Sequence, residues 1–179
     1  DSLVRLAYHQ SFGKVNPYTL DPHWNFRREH NVVDPAIAIQ NAIDSPSLTD
    51  YLGAFFPRGW FYKTLQVALA DYRQIAADGG WPVIPDGPTL KPGSSDDRLT
   101  ILAQRLMVSG DLALHDAVDN PIIYDEPLQK GVRHFQARHG LDTDAVIGPA
   151  TLQALNVPVE MRVEQLEVNI ERARWVLSD

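Results

Sequence analysis

Cysteine is absent from this 179-residue chain. Without a thiol there is no disulfide framework, no thiolate zinc site and no cysteine nucleophile. The absence is compatible with an oxidising compartment. Positive charge is also scarce: 16 Lys and Arg stand against 23 Asp and Glu, a net charge of −7. A nucleic-acid backbone needs a basic face and an anionic membrane surface needs a basic run, so the balance argues against both partners. No apolar run reaches the ~18 residues of a membrane span. Low-complexity tracts and long blocks of one charge are missing too. The opening Asp1-Ser2-Leu3-Val4-Arg5 has no signal-peptide pattern, as in a mature exported chain or a trimmed one. What is present is an ordinary hydrophobic share of 44%, enough for a packed core in one domain or two small ones.

The pattern predicts helices. Asp1 or Ser2 can cap a first helix that ends near Gly13. Asp34-Pro35 and Ser45-Pro46 are two start signals, a capping side chain followed by proline at the first helical position. They predict helices over 36–43 and through Leu48, Leu52 and Phe55. Tyr62, Leu65, Leu69, Tyr72 and Ala76 recur at three- and four-residue steps, so they share a helix face that Gly79-Gly80 terminates. Residues 81–95 are rich in proline and glycine and read as an inter-domain linker or an ordered crossing loop. A weak repeat follows: Leu102, Leu106 and Gly110 sit thirty residues before Val132, Gln136 and Gly140, each set a helix that stops at glycine. Between the copies, Asp111 to Asp125 is irregular and holds Asn120-Pro121. A charged tail helix carries the stripe Val163, Leu166, Ile170, Ala173, Leu177, with Glu171 and Arg174 spaced to pair. It stops at Asp179 without a capping glycine or proline, which predicts more protein beyond it.

No catalytic constellation emerges. Of the six histidines, His9, His23, His30, His115, His134 and His139, no set has metal-ligand spacing, and His134 and His139 point apart on a helix. No metal or cofactor is expected. Asp96-Asp97 and Asp125-Glu126 read as helix caps and first-turn charges rather than as a glycosidase pair. Ser94-Ser95 and Thr143 have no neighbouring His–Asp grouping. Charge placement is more informative. Between Pro127 and Leu141 there is no acid, yet Lys130, Arg133, His134, Arg138 and His139 are present. Lys130, Arg133 and His134 share one face, with Arg138 at the C-terminal end. This island reads either as a solvated helix face or as donors for carboxylates and amides, with Arg133, Gln136, Arg138 and His139 supplying them. Phe135 belongs to the core by its spacing with Val132. Trp24, Trp60, Trp81 and Trp175 are either packing anchors or platforms for sugar rings, and Trp81 is placed to lock the crossing segment onto the bundle.

Residues 128–157, LQKGVRHFQARHGLDTDAVIGPATLQALNV, carry the most specific pattern. Val132, Phe135, Gln136, Gly140, Leu141, Asp144, Gly148, Thr151 and Leu155 resemble the second half of the small helical peptidoglycan-binding module of bacterial cell-wall enzymes. Further motifs extend the likeness: Tyr62, Leu65, Ala68, Leu69, Tyr72, Arg73 with Gly79-Gly80-Trp81-Pro82; Leu102, Arg105, Leu106, Gly110, Asp111, Leu112 with Tyr124-Asp125; and Arg162, Gln165, Asn169, Glu171, Arg172, Arg174-Trp175. In that order they resemble the N-terminal region of large Gram-negative periplasmic L,D-transpeptidases, which join a helical scaffold, a peptidoglycan-binding-like domain and a catalytic cysteine domain. The family's Ser-His-Gly-Cys stretch is missing here, and its Asp-Gly pair reads Asp144-Ala145, where a Cβ disfavours positive φ.

The expected fold is therefore mainly α: a helical scaffold over 1–82, a proline–glycine linker over 83–95, a small helical-bundle peptidoglycan-binding-like domain over 96–158 and a connecting helix over 159–179. The resemblance implies a non-catalytic, periplasmic, wall-recognising portion of a parent L,D-transpeptidase. Peptidoglycan is the implied partner, with other wall-synthesis proteins as further ones. Arg133, Gln136, Arg138, His139, Asp144 and Thr151 are the implied glycan-binding residues. Two alternatives stay open: a targeting module of a wall amidase or carboxypeptidase, and a helical protein–protein adaptor.

Overall fold

The computed structural model describes residues 2–26, 35–57, 59–113 and 123–176. The chain is mainly helical, with nine helices and no strand among the described residues. They are α1 (Ser2–Phe12), α2 (Pro17–Leu20), α3 (Pro35–Asp44), α4 (Leu48–Gly53), α5 (Trp60–Ala77), α6 (Arg98–Val108), α7 (Glu126–Arg138), α8 (Pro149–Leu155) and α9 (Val159–Val176). Contacts divide the chain into two compact units, one of Asp1–Ala70 with Glu164–Asp179 and one of Asp71–Val163. Asp34, His30, His115, Asn120-Pro121 and Leu177 lie outside the described residues.

In the first unit a small core gathers Tyr62, Ile170 and Ala173, with Phe56, Leu65 and Leu69 against it. The Tyr62 hydroxyl is buried but not orphaned, because Arg174 Nε donates to it at 2.8 Å. Arg174 also pairs with Glu171 at 3.2 Å, the spacing anticipated above. Glu171 Oε1 accepts the backbone N–H groups of Lys14 and of Val15, the latter at 2.9 Å. The turn that presents them needs Gly13 at φ +89°, where a Cβ would also strike the Glu171 carboxylate. Helix α2 was not anticipated. Asn16 caps it by accepting from Tyr18 N at 3.1 Å, with Pro17 at its first position.

The second unit has the larger core, Ile84, Leu90, Leu99, Leu102, Ala103, Leu106, Leu112, Tyr124, Leu128, Val132, Phe135, Ile147 and Leu155. Three helices end in the same way. Gly79, Gly110 and Gly140 all have positive φ. The next residue's N–H then reaches back five positions: Gly80 to Ile75 at 2.8 Å, Asp111 to Leu106 at 2.8 Å, Leu141 to Gln136 at 2.9 Å. This Schellman arrangement satisfies carbonyls that a helix end would leave open, and glycine reaches it without a Cβ penalty. At the other end of α7, Asp125 accepts from Leu128 N and Pro127 occupies the first turn. At the start of α6, Asp96 supplies the capping oxygen read for the Asp96-Asp97 pair, accepting Arg98 N at 2.9 Å, while Asp97 makes no side-chain cap.

The proline–glycine segment contributes to this core. Ile84 and Leu90 are buried, Leu90 pairs with Ile147 in an isolated bridge, and Ser95 pairs with Ile123. Arg98, nearly buried, fastens the segment by donating to Pro88 O at 2.7 Å while it pairs with Asp96 at 2.9 Å. Trp81 Nε1 donates to Val157 O at 3.1 Å, so the indole is anchored at its polar end. Tyr124 is fully buried and donates to Ala145 O at 2.7 Å. Burial raises its phenol pKa, so the hydroxyl stays a donor. Tyr124→Phe leaves that carbonyl unpaired and is expected to cost about 1–2 kcal/mol in urea unfolding.

Candidate functional site

The loop after α7 is built around one side chain. Gln136 is 1% exposed. Its Nε2 shares two protons among Asp144 Oδ1 at 3.0 Å, Val146 O at 3.1 Å and Thr151 Oγ1 at 3.3 Å. Its Oε1 accepts Ala145 N at 3.0 Å. Ala145 sits at φ 61° and is fully buried. The left-handed conformation that a Cβ disfavours is thus adopted, because Gln136 holds the residue's N–H and Tyr124 its carbonyl. Asp144 Oδ1 also accepts Val146 N at 2.8 Å, and these hydrogen bonds, that of Val146 first, hold its pKa below the ordinary value. Gln136 and Thr151 therefore face inward with their polar groups engaged, and Asp144 alone of the three is exposed.

A second network surrounds Asp111, whose carboxylate has no exposed surface. Arg138 donates to it twice, from Nε at 2.7 Å and from Nη2 at 2.6 Å. His134 Nδ1 lies 2.7 Å away and Ser109 Oγ donates at 2.6 Å. Burial pushes the Asp111 pKa up, but these partners, Arg138 foremost, more than reverse it, and the carboxyl lies below its ordinary value. Arg138 also donates to the Tyr72 hydroxyl at 3.3 Å, and its pKa is raised by the bond to Asp111. Beneath it Arg105 is 1% exposed, with its guanidinium 3.8 Å above the Trp81 ring and its Nε bonded to Leu155 O at 2.8 Å. Desolvation pushes the Arg105 pKa down to about 10. His139 stacks on Phe135 at 3.9 Å between ring centroids, and burial lowers its pKa, which keeps the imidazole neutral at pH 7.

The basic island is thus divided. Arg138 is committed to a buried acid 27 positions upstream, which its own helix does not advertise. His139 packs against the core. Arg133 points outward, paired with Glu126 at 2.5 Å, with both side chains more than a third exposed. A pair so exposed contributes about 0–1 kcal/mol, so another carboxylate can displace Glu126 at little cost. Lys130 and the exposed outer edge of His134 lie beside a shallow depression of about 230 Å³ whose walls include Pro127, Gly131 and Leu112. A second depression of about 450 Å³ runs past Gly148-Pro149, with Asp86, Thr89, Gln153 and Asn156 as its polar groups. Asn156 is already paired in both directions with Ile84. This chemistry suits recognition of carboxylates, amides and hydroxyls. No His, Asp and Glu cluster fit to hold a metal occurs among the described residues.

Asp111 was missed as a functional neighbour of α7 because it belongs to the preceding helix end. The inward role of Gln136 had a signal: it falls on the Leu128, Val132, Phe135 stripe, where a polar residue must find buried partners.

Residues 1–69 match the model of the scaffold domain family, and residues 95–155 match that of a peptidoglycan binding domain family. Together these likenesses support a cell-wall-binding region. No curated protein matches the chain.

Proposed function

We propose that this chain is the non-catalytic recognition and scaffold portion of a periplasmic L,D-transpeptidase, and that it meets peptidoglycan through the outer face of α7. The observation that carries the reading is the order of the two matched regions on one chain, scaffold first and binding domain second. The chain holds no cysteine, so acyl transfer between stem peptides would belong to another part of the parent. Other wall-synthesis proteins are proposed as further partners.

In this reading Arg133, Lys130 and His134 contact stem carboxylates, with Arg133 releasing Glu126 to make a paired hydrogen bond. Arg138, Gln136, His139 and Thr151 hold that surface from behind, and Asp144 shapes the loop at its edge. Co-sedimentation with purified peptidoglycan sacculi tests it. Arg133→Ala with Lys130→Ala is expected to lower the bound fraction severalfold and to weaken its salt dependence, with the melting profile unchanged. Wild-type protein that stays in the supernatant would overturn the recognition claim. The parent reading is tested by sequencing the gene beyond Asp179. A Ser-His-Gly-Cys stretch supports it, and a His/Asp zinc set points to a wall amidase or carboxypeptidase instead.

A further inference from the structure

The first unit contains a cleft of about 410 Å³ that the α7 surface does not use. Its walls are aromatic: Tyr8, Phe12, Tyr18, Trp24, Phe26 and Trp175. Such a volume lies within the roughly 300–1,000 Å³ of small-molecule sites. The rings are held rather than loose. Trp24 meets Trp175 edge-to-face at 5.8 Å and Phe26 at 5.4 Å. Tyr8 packs on Phe12 at 5.0 Å. The Tyr18 hydroxyl donates to Phe26 O at 3.1 Å and ties one lip of the cleft to the other. Yet Tyr8, Tyr18 and Phe26 remain 52%, 49% and 58% exposed.

We propose that this cleft is a glycan subsite, which takes N-acetylhexosamine rings of the wall strand against its aromatic faces. It belongs to the first unit and α7 to the second, but it rests on the same wall-recognition reading. The apolar C–H face of a pyranose matches the negative face of an aromatic ring, and fixed rings lose little entropy on binding. The remaining lining supplies what the equatorial hydroxyl and acetamido groups require. Lys14 brings three donors, and Asn16 is fixed by its cap on Tyr18 N so that its amide keeps one orientation. Among the described lining residues Lys14 is a cation.

The test is titration of the full chain with chitotetraose, a soluble N-acetylglucosamine tetramer, followed by tryptophan fluorescence. Saturable binding is expected, and Tyr8→Ala or Phe26→Ala should weaken it about tenfold, because both residues line the cleft and each substitution removes an aromatic face from it. Circular dichroism melts establish that each variant is folded. Arg133→Ala with Lys130→Ala should leave the tetramer affinity unchanged while lowering sacculus binding. Wild-type chain that sediments with sacculi but ignores the tetramer would overturn the subsite and leave the recognition reading standing. Failure to bind either would overturn both. Binding that is identical in folded Tyr8→Ala and Phe26→Ala would also overturn the subsite.

Discussion

Arg138→Ala is expected to lower the unfolding free energy by about 3 kcal/mol at pH 7, and to weaken wall binding through that loss alone. The substitution strands Asp111, a carboxylate with no exposed surface, with His134 and Ser109 as its remaining side-chain partners. Breaking a buried ion pair from one side costs about 3–5 kcal/mol, because a charge is left without compensation. Arg138 is itself a third exposed, so water entering the vacated space moderates the figure. The pH dependence separates this cause from lost packing. In the wild type the folded pKa of Asp111 lies below 3.8, so its contribution is present above pH 3.8 and is lost as pH falls through the lower folded value. Without Arg138 the burial that pushes this carboxyl up acts against weaker opposition, and its folded pKa rises. The deficit is then greatest above that raised value and shrinks as the pH falls through it. Urea unfolding from pH 7 to pH 3 should therefore show the two proteins converging. A difference that stays constant across that range would assign the loss to packing and sink the electrostatic account.

Much of the helical architecture is legible in the chain because glycine and proline act locally. The stops at Gly79, Gly110 and Gly140 depend on one residue reaching positive φ, and the start at Asp125 depends on a cap three positions from its donor. The stripe Val132, Phe135 fixes which side of α7 is buried. The direction of the candidate side chains is less legible, because it is set by partners far along the chain. Nothing within residues 127–141 says that Arg138 is claimed by Asp111. Nothing near Trp81 says that a guanidinium from position 105 lies on its ring. Ala145 is the sharpest case. The residue type argues against the left-handed region, yet two side chains impose it, one 9 and one 21 positions away. A basic island read from sequence is thus an upper bound on a binding surface. The part that survives includes Arg133, whose own partner Glu126 is exposed.

Gln136→Leu tests that imposed loop, and a loss of roughly 3–4 kcal/mol is expected. Leucine fills a similar volume, so the cavity term is small. The Ala145 N–H, fully buried, loses its acceptor at a cost of about 1–3 kcal/mol, and the Val146 carbonyl and Thr151 hydroxyl each lose a donor. The left-handed alanine, held at about 1–2 kcal/mol above the right-handed form, then has its hold weakened. Gln136→Glu keeps the acceptor for Ala145 N but turns the donor side into an acceptor facing Val146 O and Asp144 Oδ1. Ionised and buried beside another carboxylate, the new group has a raised folded pKa. Its penalty is present above that pKa and is relieved as the pH falls through it. The glutamate variant should therefore be the less stable of the two at pH 7 and regain ground on acidification, whereas the leucine variant should not. A double-mutant cycle with Ala145→Gly isolates the backbone contribution. Glycine reaches φ 61° freely, so the loop no longer depends on the Gln136 clamp to stay left-handed, and Gln136→Leu should cost less in the glycine background by about 1 kcal/mol. Strict additivity would mean that Gln136 supports the loop through its hydrogen bonds to Val146 and Thr151 alone, and that the conformation of Ala145 is fixed by Tyr124.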